Sequence, residues 1–122
     1  MKGEVKVFLL KLKTFLNSQE GWTVLVEGKR DKRALTLFGV EPVVEMKGRK
    51  YHDIAQELSE KFKGVVILTD LDSKGEEIFK KLSKILPAYG LKVDGSLRGE
   101  LKKSGVKFVE KIPEAFTEER WK

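Results

Sequence analysis

Val65-Val66-Ile67-Leu68-Thr69-Asp70-Leu71-Asp72-Ser73-Lys74-Gly75 is the stretch that decides the fold. Its unbroken apolar run lacks the alternation of a half-exposed strand, so both faces must be covered, as in a parallel sheet. Two aspartates follow at alternate positions, which in extended chain point the same way. A second run, Val24-Leu25-Val26-Glu27-Gly28, repeats the pattern of apolar strand and then carboxylate. The C-terminal ends of parallel strands form the rim where open α/β sheets bind ligands. Glu27, Asp70 and Asp72 are therefore candidates for one site, and three clustered carboxylates repel one another unless a cation joins them. Each motif also has a plainer reading. Glu-Gly after a strand suits an ordinary turn into a helix, and Asp72 suits a helix cap. Capping accounts for one acid after an apolar strand but not for two.

Outward from these runs the chain alternates helix and strand. Val5, Phe8, Leu9, Leu12, Phe15 and Leu16 recur at helical spacing and predict an amphipathic helix over 3–18. Strands are predicted at 23–27, 43–46, 65–69 and 106–109, and helices at 31–38, 51–62 and from about 74 to 86. Asp31 is expected to cap the helix it precedes and Gly39 to close it. Ser73 with Glu76 reads as a capping box, and Pro87 as the stop of that helix. Between Ala88 and Gly105 the pattern gives only a helix around 97–103, and 113–122 reads as a short tail with Trp121 folded back. No repeat or linker interrupts the chain. The expected fold is α/β: three layers, Rossmann-like, with a mainly parallel four-stranded sheet, all in one domain whose core spans about 21–109.

Composition narrows the chemistry. The 122 residues suffice for one core, and 40% are hydrophobic. The charged fraction, 36%, exceeds the usual quarter, and high Lys and Glu without cysteine is the bias of thermophile proteins. The absence of cysteine excludes disulfides, thiolate metal sites and cysteine nucleophiles. One histidine, His52, excludes a multi-histidine zinc site, so any metal must be held by oxygen, which favours Mg²⁺ with Mn²⁺ as substitute. A net charge of +6 suits a polyanionic partner such as nucleic acid, although lysines also serve simple solubility. Lys29, Arg30, Lys32 and Arg33 follow Glu27; Lys47, Arg49 and Lys50 follow the second strand; Lys74 follows the aspartate pair. These residues are expected to track a phosphate backbone, with Arg98, Lys102 and Lys103 as weaker candidates. Tyr51 and Tyr89 sit in no nucleophile context and read as packing residues. Lysines break up the apolar N-terminus, no run approaches the roughly 18 apolar residues of a membrane span, and a cytoplasmic location is expected.

Val26-Glu27-Gly28-Lys29-Arg30-Asp31 and Thr69-Asp70-Leu71-Asp72-Ser73-Lys74-Gly75 together resemble the Toprim domain of topoisomerases, bacterial primases and related nucleases. That family carries Glu-Gly after its first strand and Asp-x-Asp after its third. The wording of both motifs is most similar to the nuclease that matures 5S ribosomal RNA and to small stand-alone Toprim proteins of archaea and thermophilic bacteria. The resemblance implies Glu27 as general acid or base, Asp70 and Asp72 as Mg²⁺ ligands, and a nuclease acting on nucleic acid, RNA before DNA, in rRNA processing, with a protein partner possible. The maturation nuclease carries a further C-terminal domain where this chain has only a short tail. Topoisomerases use a tyrosine outside the Toprim domain, which this chain does not offer, so water is the expected nucleophile.

Other acidic α/β folds fit less well. A phosphoacceptor receiver domain needs an adjacent acidic pair after its first strand. An aspartate-nucleophile phosphatase has Thr or Val where Lys74 stands. No Gly-x-x-x-x-Gly-Lys-Ser/Thr loop is present for an ordinary nucleotide triphosphatase. The rival that survives is a Toprim fold that binds nucleic acid or protein without cleaving anything.

Overall fold

The computed structural model describes residues 4–120, with side chains to 119, so the expectation for Trp121 lies outside the described residues. The elements run α1 (Glu4–Ser18), β1 (Trp22–Val26), α2 (Lys29–Thr36), β2 (Val43–Glu45), α3 (Tyr51–Lys61), β3 (Gly64–Ile67), α4 (Ser73–Ala88), β4 (Lys92–Asp94), α5 (Ser96–Lys103), a 3₁₀ turn (Val109–Lys111) and α6 (Ile112–Arg120). The four strands form one sheet in the order β2-β1-β3-β4, and every neighbouring pair is parallel. Val24 pairs with Val43 on one side and Val66 on the other, which places β1 and β3 at the centre.

Alternation along the central strands builds two cores. Val24, Val26, Val66 and Leu68 face a layer made by α1, α2, α5 and the start of α6, through Phe8, Leu12, Leu35, Leu101 and Ile112. Leu25, Val65 and Ile67 face α3 and α4, through Ile54, Leu58, Leu82 and Leu86. The result is the three-layer α/β arrangement expected. Both faces of β1 and β3 are covered, which is why their sequences are continuously apolar. α1 is seated by the edge-on packing of Phe15 against Trp22 at 4.9 Å. The Trp22 ring in turn occupies the space a side chain at Gly64 would need.

Three expectations are corrected. The fourth strand is Lys92–Asp94, pairing with β3 from Gly64↔Lys92 to Val66↔Asp94, and not 106–109. Residues 106–108 run as irregular chain beside the Asp70 loop, to which Leu71 N–H gives one bond, at Lys107 O (2.7 Å), and no ladder forms. The C-terminal segment, expected only as a short tail, is helical: the fully buried Ile112 opens α6, with Pro113 in the first turn, where a missing N–H costs nothing. Pro87 lies inside the last turn of α4 instead of stopping it, and Gly90, at φ 82°, makes the exit.

Candidate functional site

The site lies where the connections diverge. β1 and β3 are neighbours, yet α2 leaves β1 toward one face of the sheet and α4 leaves β3 toward the other. This switch point opens a crevice at the C-terminal ends of the two strands, and Glu27 and Asp70 both emerge there. Asp70 N–H donates to Glu27 Oε2 (2.8 Å), and Val109 N–H donates to Asp70 Oδ1 (2.9 Å). Gly75 N–H donates to Asp72 Oδ1 (2.7 Å) and Gly28 N–H to Asp31 Oδ2 (3.1 Å). In each of these bonds one carboxylate oxygen holds a backbone amide.

Local structure explains the placement and corrects two cap assignments. Asp72, not Ser73, is the N-cap of α4; Glu76 pairs with Arg98 instead of closing a capping box. Asp31 does not precede α2 but sits within its first turn, bonding back to Gly28. Gly75 is required by contact. A Cβ there would lie 1.8 Å from the Asp70 carbonyl oxygen, so the first turn of α4 is pressed against the motif's own backbone. Thr69 Oγ1 ties the same two segments by donating to Gly75 O (2.8 Å). Gly28 differs: its backbone is extended, at φ −144°, and the nearest atom to an added Cβ is 3.9 Å away, at Asp31. Nothing in the fold demands glycine at 28.

The acids are crowded. Burial pushes the Asp70 carboxyl up to about 6 despite the Val109 amide, and the charges of Asp31, Glu27 and Asp72 add to the rise. Asp31, 7% exposed, is also raised, first by burial and then by Glu27 and Glu110, against the lowering bond from Gly28. Sequence reasoning placed Asp31 only as a helix cap. Its position four residues after Glu27, on the turn back into α2, was the signal that it belongs with the cluster. Among the described residues no three carboxylate or imidazole groups form a ready metal cage. The donor set is nevertheless all oxygen and electrostatically strained, which fits a hard, hydrated cation held by few carboxylates and several waters.

The basic residues divide. Lys74 and Arg49 line the same cavity as Glu27, about 390 Å³, together with Met46, Tyr51 and Ile78. Arg49 is structurally committed: it donates to Glu57 Oε1 (2.8 Å), Met46 O (3.1 Å) and Glu45 O (2.9 Å), clamping the β2–α3 loop. Lys47 stands 3.7 Å from Glu45. Lys32, Lys47 and Arg49 flank the sheet edge at β2, while Arg30 and Arg33 border a separate hollow beside Glu110. Lys29, Arg30, Arg33, Lys50 and Lys74 are exposed, and no ion pair among the described residues neutralises them. Arg98 is corrected outright. It is 5% exposed and turned inward, so it cannot follow a nucleic-acid backbone. Tyr51 packs into the second core beneath Lys81, and Tyr89 is bonded to His52 (2.8 Å).

The sequence matches the Toprim domain family over residues 22–95, more than half of the chain. The chain belongs to the Toprim family. It is 37% identical to a UPF0292 protein of Pyrococcus abyssi over 94 residues, 76% of this chain and 70% of that one. A solved protein from Aquifex aeolicus superposes with a TM-score of 0.77 at 34% identity, covering 87% of this chain and 95% of its own. The zinc-binding and RNA polymerase domains of Aquifex aeolicus primase superpose with a TM-score of 0.54 at 27% identity, covering 88% of this chain and 28% of that one. Both Toprim motifs, Glu27-Gly28 and Asp70-Leu71-Asp72, lie inside the matched span. The groups that hold the second motif, Arg98, Lys107 and Val109, lie beyond it.

Proposed function

We propose that this Toprim chain carries out Mg²⁺-dependent phosphodiester chemistry on nucleic acid, hydrolysis in preference to transfer. The observation that carries the reading is the bond from Asp70 N–H to Glu27 Oε2, which joins the two motifs in one crevice beside a cavity edged by cationic Lys74. In this reading Asp70 and Asp72 are the residues that would hold the ion. Bound there, Mg²⁺ would neutralise phosphate charge and orient the attacking group. Glu27 keeps one oxygen on the Asp70 amide, which fixes its direction, and uses the other to take or give a proton at the scissile phosphate. Lys74 draws the phosphate toward Glu27, and Lys29, Arg30, Arg33 and Lys50 lengthen the cationic track with sequence-independent contacts. Water is the nucleophile, since Tyr51 and Tyr89 serve packing and the His52 bond. RNA is preferred over DNA on the strength of the motif resemblance to the rRNA maturation nuclease, and the primase among the structural relatives supports a nucleic-acid substrate.

A second reading, a Toprim module that binds nucleic acid or a protein without cleaving, draws on the lack of a ready three-carboxylate cage among the described residues. One experiment separates the two. End-labelled structured RNAs and DNAs are incubated with the protein, with and without Mg²⁺ or Mn²⁺, and binding is measured across a salt series. Metal-dependent cleavage that Glu27→Gln abolishes while binding persists, and that Tyr51→Phe retains, supports hydrolysis. Steep salt-dependent binding with no cleavage under any metal, unchanged by Glu27→Gln, hands the case to the binding module.

A further inference from the structure

We infer that Arg98 is a positioning residue: it fixes the shape of the Asp70–Asp72 loop and thereby the loop's affinity for a divalent cation, an inference that rests on the metal reading above. Arg98 Nε donates to Thr69 O (2.9 Å) and Nη2 to Asp70 O, two successive carbonyls of the motif. Nη1 pairs with Glu76 on the first turn of α4, and the guanidinium lies 4.9 Å over the Phe79 ring. One planar fork thus spans the end of β3, the turn that carries Asp70 and the helix that Asp72 caps. Holding both carbonyls fixes the peptide planes on either side of Asp70, and so the direction in which its carboxylate leaves the chain.

A guanidinium on a side chain only 5% exposed has given up most of its water and is tolerable because each of its three nitrogens donates a bond. It is brought in by α5, whose Leu97 and Leu101 are buried against α1 and the sheet, so the fork is anchored on a packed element. Lysine could not replace it. An ammonium is a point charge without the rigid fork needed to hold two carbonyls and a carboxylate in one plane. Residues that orient ligands from behind commonly change metal affinity ten- to a hundredfold when altered.

The test uses the full chain and Mn²⁺ as probe, with free Mn²⁺ read by electron paramagnetic resonance and melting followed separately in chelator. Wild type should bind Mn²⁺. Arg98→Lys keeps the charge and should lose at least tenfold in affinity, with faster hydrogen exchange at the Leu71 and Gly75 amides than at those of β1. Phe79→Leu, which leaves every charge in place but removes the ring under the guanidinium, should lose two- to threefold. A folded Arg98→Lys with wild-type Mn²⁺ affinity and wild-type loop exchange overturns the inference. If Arg98→Lys does not fold, Phe79→Leu decides, and unchanged affinity there overturns it. Failure of wild type to bind Mn²⁺ defeats the metal reading itself, and is seen before any variant is measured.

Discussion

Asp70 is the residue whose environment is least favourable to its charge. It is partly buried, faces three other carboxylates, and holds its proton up to about pH 6 against 3.8 ordinarily. The folded chain therefore binds more protons than the unfolded chain between those values, so stability falls as pH rises through that window and stays reduced above it. Asp31 is shifted in the same direction. Asp70→Asn should raise the melting temperature in chelator at pH 7, have little effect near pH 4, and flatten the slope between. The Asn oxygen can still accept from Val109 N–H. An unchanged slope would mean that the crowding is relieved some other way. The glycines give a paired test. Gly75→Ala meets the Asp70 carbonyl at 1.8 Å and should lower stability by about 2 kcal/mol in denaturant titration, the scale of overpacking a tight contact. Gly28→Ala should stay within about 0.5 kcal/mol, the range of unstrained surface changes, and any loss of nucleic-acid binding there would show that the open space serves a ligand.

At the scale of elements, the strands that carry the motifs were legible because burial on both faces leaves an uninterrupted apolar run. β4 was not. It is a three-residue edge strand, Lys92-Val93-Asp94, with only one apolar residue, and its pairing with β3 supplies what its sequence lacks. Val106-Lys107-Phe108-Val109 is apolar enough to read as a strand, but its amides and carbonyls go to the Asp70 loop and the 3₁₀ turn. Arg98 was misread because charge alone says nothing of burial. Its place beside Leu97 and Leu101, on the apolar stripe of α5, was the available signal. α1 was read correctly as a core helix: Val5, Phe8, Leu9 and Leu12 are all buried. Leu12→Ala should therefore cost about 2–5 kcal/mol, as for other fully buried leucines, and the α1 amides should be protected from exchange with those of β1. Fast exchange in α1 alone would make it a detachable arm. The Lys11–Glu100 pair joining α1 to α5 is open to solvent on the lysine side and should contribute little to stability.

On the scale of the whole molecule, parallel topology brings two distant acidic motifs to one switch point, and the segment beyond residue 95 closes over the second of them through Arg98, Lys107 and Val109. Glu27 and the Asp70 backbone are joined at that rim, and the Asp72 charge acts on Asp70 from the start of α4. The cap formed by Asp72 was legible in its place before α4, whereas the place of Asp31 beside the cluster emerges only in three dimensions. In the proposed function this rim holds a divalent cation. Amide NMR of the full chain during Mn²⁺ titration tests it most directly, because paramagnetic broadening reports where the ion sits. Broadening should be confined to the amides around Glu27–Gly28 and Leu71–Gly75, be displaced by Mg²⁺ and be lost in Asp70→Asn. Broadening centred elsewhere, or none at millimolar Mn²⁺, would contradict it.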